Sequence, residues 1–281
     1  MVGVSKTMMT EEIKKTIKKS PDYDFLRKAQ QKREFILLCV SGSHGYGTNV
    51  EGSDIDVRGI FAHSDTELLM ENGIDSIDDA KTDTMLWSLP RALKLMASCN
   101  PNVIEVLGLK EESYLIDSDL QRELIANADM FLSVRAFYAF GGYAKRKLDE
   151  LKALGEALGR FDLSDLDKRN RYAVEHDKLG KHAMHLIRLY YTGIDILREK
   201  RIITYREKEH DLLMSIRNKE WGFDSNGFPN GELFLLKDKL EEELQEAKAR
   251  TLLPLEPDFK RINEFLMKAN CFALYPSRFI Y

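Results

Sequence analysis

Two short groups of residues in the first third of the chain have types and spacing suited to chemistry on phosphates. The first is Gly42-Ser43, close behind the apolar run 35–40, and the second is the pair Asp54 and Asp56 further along. Glycine lets a backbone approach a phosphate closely, and free N–H groups at a turn or helix start bind anions. The Gly-Ser turn is therefore predicted to hold phosphate oxygens.

The two aspartates have the spacing of a metal site. Residues 53–61 alternate as a strand does, which places Asp54 and Asp56 on one face and Ile55 and Val57 on the other. Neighbouring carboxylates repel each other unless a cation lies between them. Since Mg²⁺ is usually held by one or two carboxylates together with substrate phosphates, the pair predicts a magnesium site.

Polar residues around these two groups add to the same prediction. Gly47 keeps the loop close to a ligand, and the hydroxyls of Thr48 and Ser53 are candidate phosphate contacts. Arg58 has the same side-chain direction as the aspartates, so it either binds phosphate or balances their charge. A Gly-Ser pair alone is usually a turn and an Asp-x-Asp alone is usually a solvated face, but their order behind an apolar strand favours a functional site.

A later segment, residues 176–190, predicts a helix with one cationic face. Such a face binds triphosphate oxygens or a nucleic-acid backbone, and the alternative is an ordinary solvated helix face. Its apolar side contains Leu179, Ala183, Leu186 and Tyr190. The cationic side contains Lys178, Lys181, His182, His185 and Arg188.

Composition excludes several classes of protein. The chain has 281 residues, 43% of them hydrophobic and 31% charged, with a net charge of −4, so no overall basic excess indicates nucleic-acid binding. No apolar run approaches the roughly 20 residues that span a bilayer, and the Lys-rich N-terminus lacks the apolar core of a signal peptide. The three cysteines are far apart, which predicts a reducing, cytoplasmic location without a disulfide framework.

The pattern of elements predicts an α/β (α+β) fold with two domains. Strands are predicted at 35–40, 53–61 and 83–89, followed by a helix at 89–98. The second half is mostly helical, with helices predicted at 119–131, 133–157, 167–199, 207–217 and 232–249. We therefore expect an α/β domain over 1–115 and a mostly helical domain over 116–281.

These segments resemble the signature of the DNA polymerase beta-type nucleotidyltransferase superfamily. They are most similar to its branch of predicted nucleotidyltransferases associated with RNA repair. The matching segments are GSHGYGTNVEGSDIDVRGIF (residues 42–61), Asn100-Pro101 with Glu105-x-Leu107, and Lys181-His182-Ala183-x-His185-x-x-Arg188. The resemblance implies a small mixed sheet of the polymerase beta type followed by a mostly helical domain. It also implies that 1–115 is the nucleotidyltransferase catalytic domain and that 116–281 closes the nucleotide cleft.

The resemblance also implies a third carboxylate from a later strand. This group completes one metal site with Asp54 and Asp56 and helps to deprotonate the attacking hydroxyl. Asp83 is the favoured candidate because a strand-like run follows it. Asp78 and Asp79 compete for the role, and Glu105 is less favoured.

The implied activity is Mg²⁺-dependent transfer of a nucleoside monophosphate from an NTP, such as ATP, to a hydroxyl, with release of pyrophosphate. Two Mg²⁺ ions are expected, with Mn²⁺ as a substitute and no other metal. The expected acceptor is an RNA, either tRNA-like or a broken end; nucleotidylation of a protein or small molecule, and a silent antitoxin-like binding protein, stay open. The implied nucleotide-binding residues are Gly42, Ser43, Tyr46, Gly47, Thr48, Ser53, Arg58, Lys181, His185 and Arg188.

Overall fold

A computed structural model describes residues 3–160 and 166–274 of the chain. It contains a four-stranded mixed sheet near the N-terminus, followed by a mostly helical region, which confirms the predicted fold class. The strands are β1 Phe35–Val40, β2 Val57–Phe61, β3 Ser76–Asp79 and β4 Thr84–Ser88. The helices are α1 Gly3–Lys19, α2 Asp24–Lys32, α3 Gly42–Tyr46, α4 Asp65–Met70, α5 Leu89–Ala97, α6 Pro101–Ile104, α7 Asp119–Ala126, α8 Arg135–Gly159, α9 Leu166–Glu199, α10 His210–Arg217, α11 Gly231–Arg250 and α12 Phe259–Leu274.

The sheet has the order β1-β2-β4-β3, with β2 and β4 parallel and the two outer pairs antiparallel. The strands form because β-branched and aromatic residues bury both faces of the central pair. Leu38 and Val40 of β1 and Phe61 of β2 pack against Leu26 of α2 in one buried cluster. Each such side chain contributes about 1.5–3 kcal/mol when it is fully buried, so this cluster anchors the strand ends that carry the candidate site.

The chain divides into two compact units. The first comprises residues 1–98, 102–131 and 256–281, and the second comprises 99–101 and 132–255. Apart from the short segment 99–101, the chain passes from one unit to the other after residue 131 and again after residue 255. The assignment of separate functions to 1–115 and 116–281 stays a prediction, and residues 1–2, 161–165 and 275–281 lie outside the described residues.

The last helix belongs to the first unit although it comes last in the sequence. Arg261 of α12 donates to both carboxylate oxygens of Asp129, at 2.7 and 3.0 Å, and to Asn127 at 2.8 Å. Lys268 pairs with Glu123 of α7 at 2.6 Å. The first unit is thus built from both ends of the chain.

Several element boundaries differ from the predictions. The second strand begins at Val57 rather than Ser53, so Asp54 and Asp56 precede it. β4 begins at Thr84, which leaves Asp83 in the turn between β3 and β4. By contrast, the helix predicted at 167–199 is observed almost unchanged as α9.

The predictions about membranes and cysteines can be compared with the described residues. None of the helices there is long and apolar enough to cross a lipid bilayer. Cys39 and Cys99 are buried free thiols, and Cys271 is an exposed one.

Candidate active site

The Gly-Ser turn starts where β1 ends. The N–H of Ser41 donates to the carbonyl of Asp56 at 2.8 Å, which continues the pairing of the two strands by one more bond. The backbone then turns at Gly42, whose φ is +58°, into the single-turn helix α3. Ser43, in this helix, is 7% exposed. The sequence therefore places the turn directly beside the segment that carries the two aspartates.

Gly42 lets the Asp56 carboxylate lie against the backbone of the turn. A Cβ atom added to Gly42 would lie 1.6 Å from Oδ2 of Asp56 and 2.4 Å from its Cγ. A side chain there would have to displace the Asp56 carboxylate, and the positive φ independently favours glycine. The two halves of the sequence motif are thus in direct contact, and glycine at this position allows it.

The loop after α3 folds back onto the helix. The amide of Gly47, at a φ of +74°, donates to the carbonyl of His44 at 3.3 Å, and Thr48 donates to that of Ser43 at 2.9 Å. Thr48 is fully buried, and its hydroxyl has no hydrogen-bond partner among the residues that the structure describes. Tyr46 is half-buried at the end of α3. The predicted loop residues are thereby gathered around one helical turn.

Ser53 shapes the turn that leads into the aspartates. Its hydroxyl accepts a bond from the Val50 N–H at 2.9 Å, and its own N–H donates to the Val50 carbonyl at 3.0 Å. The His44 ring also bonds to the backbone of Ser53, while its burial lowers the pKa of that ring. Ser53 therefore has a structural role in this turn, whatever contacts it makes with a nucleotide.

Tyr23 supports the segment that carries the two aspartates. It was not predicted as a site residue. Its hydroxyl donates to the carbonyl of Ile55, between the two aspartates, at 3.4 Å. Burial raises the pKa of the Tyr23 hydroxyl, and nearby carboxylates, including Asp56 and Asp54, raise it further. Asp54 is exposed, whereas the side chain of Asp56 is only 15% exposed. Nothing in the sequence links an aromatic residue of the 3₁₀ turn before α2 to this segment.

Arg58 lies between Asp56 and Asp83. Its Nη2 is 3.8 Å from Oδ1 of Asp56 and 3.2 Å from Oδ1 of Asp83, and its Nη1 donates to the Asp83 carbonyl. Arg58 is paired with Met85 across the parallel strands, so extending this register back by two residues sets Asp83 opposite Asp56. Arg58 is thus positioned to balance the charge of both carboxylates. We call Asp54, Asp56, Arg58 and Asp83 the acidic edge.

The other candidates for the third carboxylate are Asp78, Asp79 and Glu105, and each of them lies away from the two aspartates or is engaged elsewhere. Oδ2 of Asp79 accepts bonds from the N–H and hydroxyl of Thr82, at 2.9 and 2.8 Å, and so closes the β3–β4 turn. Asp78 is exposed and pairs with Met85. Glu105 is buried, 2% exposed, in a 3₁₀ turn. Position therefore favours Asp83 among the candidates for the third carboxylate.

The acidic edge supplies the hard oxygen donors that Mg²⁺ prefers. Among the described residues, no group of three or more His, Cys, Asp or Glu side chains is arranged to hold a metal ion. Asp54 and Asp56 can provide two carboxylates, and Mg²⁺ sites of this kind are completed by substrate phosphates and water. The donor set therefore fits magnesium with the substrate as part of the site, and Asp83 joins it only if Arg58 releases that carboxylate.

The predicted cationic face lies on α9, in the second unit. Leu179, Ala183 and Leu186 are fully buried and Tyr190 is 3% exposed, which confirms the predicted apolar side. Lys181 is exposed, but Arg188 is only 4% exposed. The alternative of an ordinary solvated face is therefore wrong for Arg188.

His185, between these two cations, is desolvated although part of its surface is accessible. This desolvation holds the pKa of the His185 ring well below its usual value, and the neighbouring positive charges of Arg188 and Lys181 lower it further. Nδ1 of the nearby His182 lies 3.4 Å from Oε2 of Glu150 in α8. Near neutral pH, His185 is thus a neutral ring that can donate one hydrogen bond and accept another.

Comparison with models of known protein families shows which family the chain belongs to. The model of RlaP, the RNA repair pathway DNA polymerase beta family, matches residues 18–268, which include the acidic edge and α9. The chain belongs to this family. Its members are polymerase beta-like proteins, which are generally nucleotidyltransferases, so the resemblance inferred from the motifs is confirmed. A comparison with curated proteins finds no match.

Proposed function

We propose that this member of the RNA repair pathway DNA polymerase beta family transfers a nucleoside monophosphate from an NTP to the hydroxyl of an RNA end. The observation that carries the proposal is the contact between Gly42 and Asp56. It joins a turn suited to phosphate with a carboxylate suited to Mg²⁺, and a nucleotidyl transfer needs both at one place.

The donor side of the reaction is assigned to the first unit. The N–H groups and hydroxyl at Gly42-Ser43 would bind the β- and γ-phosphate oxygens, with Tyr46, Gly47 and Thr48 shaping the loop around them. Asp54 and Asp56 would hold Mg²⁺, or Mn²⁺ in its place, and the ion would neutralise negative charge on the phosphates and on the leaving group. Arg58 would keep the carboxylates in position by pairing with them.

The bond changes follow from this arrangement. The acceptor hydroxyl oxygen forms a bond to the α-phosphorus of the NTP, and the bond from that phosphorus to the bridging oxygen breaks. Pyrophosphate leaves with the bond electrons, and the hydroxyl proton passes to Asp83 once its carboxylate is free of Arg58. Positioning and charge neutralisation supply most of the rate enhancement in such reactions.

Lys181, His185 and Arg188 are assigned to the phosphates of the substrate. Lys181 and Arg188 carry positive charge, and the neutral His185 ring can donate a hydrogen bond. They are spaced on one face of α9, which is what simultaneous contact with a chain of phosphates requires.

The choice of RNA as acceptor rests on the family, whose description names an RNA repair pathway. A cytoplasmic location belongs to the same proposal and is supported by the three free thiols.

The proposal is tested by incubating the purified protein with each α-labelled NTP, Mg²⁺ or Mn²⁺, and a set of acceptors. The acceptors are an RNA with a free 3′ hydroxyl, the same RNA with a 3′ phosphate, a protein mixture and small-molecule alcohols. We expect label on the free 3′ hydroxyl and none with the Asp56→Asn protein. Label on protein or on a small molecule would replace RNA as the acceptor, and no label with any NTP would favour a silent binding protein.

A further inference from the structure

α9 and α10 touch through their backbones at one glycine. A Cβ atom added to Gly180 would lie 2.1 Å from the carbonyl oxygen of Arg217 and 3.2 Å from that of Ile216. Only a glycine permits this approach, because the obstacle is main chain and cannot rotate away. The C-terminal end of α10 is therefore fixed beside the turn of α9 that carries Lys181.

Arg217 lies at this contact with part of its guanidinium unsatisfied. Its Nη1 is buried and has no hydrogen-bond partner among the residues that the structure describes. Burial also lowers the pKa of Arg217, which shows that its positive charge is partly removed from water. The carboxylate that acts on it is Asp177, which is 85% exposed and already lies 3.6 Å from Lys219. A buried donor without a partner is unfavourable, so this position gains stability when an acceptor fills it.

Several other cations are gathered near Arg217. Arg188, Lys181, Lys147 and Arg217 all act electrostatically on the His185 ring. Lys181 makes no ion pair or hydrogen bond with any described residue, whereas Lys147 is paired with Glu150 at 2.7 Å. A positive charge that is partly desolvated is destabilising unless an anion balances it, and this applies to Arg217. We call Lys181, His185, Arg188 and Arg217 the cationic cluster.

We propose that Arg217 is a phosphate-binding residue that completes the cationic cluster on α9 and α10. This assignment adds a residue that the sequence motif does not mark, because Arg217 lies on a separate helix, α10. Arginine suits the role because its planar fork can donate two parallel bonds to one phosphate, and Lys181 contributes a point charge. The inference rests on the proposed function for the identity of the ligand, a triphosphate of an NTP or a phosphodiester of RNA.

Inorganic tripolyphosphate tests the site without any catalytic activity. Its affinity is measured by the concentration dependence of the melting temperature for wild type, Arg217→Ala, Arg217→Lys and Arg201→Ala. Arg201 is an exposed arginine of the same unit and serves as the matched control. We expect Arg217→Ala to weaken binding about tenfold, Arg217→Lys to weaken it less, and Arg201→Ala to leave it unchanged.

Two further ligands then identify the natural source of the phosphate. Fluorescence anisotropy of a labelled ATP analogue and of a single-stranded RNA with a blocked 3′ end shows which of them loses affinity in Arg217→Ala. If Arg217→Ala does not fold, Arg217→Lys carries the same comparison, since it keeps the charge and loses the fork.

The two proposals fail in different ways. Equal tripolyphosphate binding by wild type and the folded Arg217 variants, or none by wild type, overturns the assignment of Arg217 even where labelled NTP is transferred to RNA. Tripolyphosphate binding that depends on Arg217 in a protein that transfers no label supports the site and rejects the nucleotidyltransferase proposal.

Discussion

The acidic edge and the cationic cluster gather like charges by different means. At the acidic edge, unusual backbone angles at Gly42 and Asp83, with φ of +58° and +42°, bring carboxylates together, and Arg58 balances them. In the cationic cluster the charges are spaced by regular helices, and one glycine contact brings the second helix in. The first therefore depends on local backbone geometry, and the second on helix packing, so small substitutions should separate their effects on catalysis, stability and binding.

The largest effect is expected from Asp56→Asn, which removes one charge from the acidic edge and keeps the shape of the side chain. We expect nucleotidyl transfer to fall at least about 10³-fold, because a carboxylate that binds Mg²⁺ cannot be replaced by an amide. The melting temperature should change little, and Asp78→Asn, at an exposed position on β3, should retain full transfer. Transfer at the wild-type rate by the Asp56→Asn protein would remove Asp56 from the metal site.

Gly42→Ala tests whether the acidic edge depends on backbone geometry. The matched control is Gly52→Ala, since Gly52 also has a positive φ of +78° but has nothing within 4 Å of an added Cβ. Both variants should lose about 1–2 kcal/mol from the left-handed conformation. Gly42→Ala should lose about 1–3 kcal/mol more from the collision with Asp56, together with most of the transfer activity. Urea unfolding measures the difference, and equal losses in the two proteins would show that the Gly42–Asp56 contact has no energetic importance.

Gly180→Ala tests the helix contact in the second unit. Its Cβ would meet the main chain of Arg217, so we expect the free energy of unfolding to fall by about 1–3 kcal/mol and tripolyphosphate binding to weaken. Gly155→Ala on α8, where an added Cβ meets nothing within 4 Å, should instead stabilise the protein by about 0.5–1 kcal/mol through helix propensity. A stabilising effect of Gly180→Ala would contradict the close approach of α9 and α10.

The smallest effect concerns pH and His185. Its pKa is lowered in the folded protein, so below about pH 6.5 the unfolded chain binds a proton that the folded chain does not. Stability should therefore decline as the pH falls below that value, with a limit of about 1.4 kcal/mol per pH unit for this one group.

Thermal unfolding between pH 7 and 5.5 should show a shallower decline for His185→Gln than for wild type. The partly buried rings of His44 and His182, whose pKa values are also lowered, should maintain the remaining slope. His210→Gln, at an exposed ring, is the control and should follow wild type. An unchanged slope in His185→Gln would mean that the ring is protonated in the folded protein.

The long helix α9 was easier to predict from sequence than the site residues of the first unit. Hydrophobic periodicity located α9 within a residue at its start, because its apolar face is regular. The alternation at 53–61 predicted a strand four residues too early, since Ser53 is held in a turn and pairing with β1 ends at Val57. Local patterns report side-chain alternation and cannot report where a neighbouring strand stops.

Contacts between distant residues account for what sequence reasoning missed. The approach of Gly42 to Asp56 and the bond from Tyr23 to Ile55 both depend on tertiary structure, and no local pattern encodes them. One signal was available for Arg217: a glycine inside a helix costs about 1 kcal/mol relative to alanine, so Gly180 already indicated a close packing partner.

The return of α12 to the first unit has a consequence for synthesis of the chain on the ribosome. The N-terminal residues that carry the acidic edge emerge first, but the bonds from Arg261 to Asp129 and from Lys268 to Glu123 form only after residue 268 has been made. At about 5–20 residues per second, the first unit waits several seconds or longer for its last helix, whereas 132–255 emerge without interruption. Synthesis of the first unit thus starts before that of residues 132–255 and is completed after it.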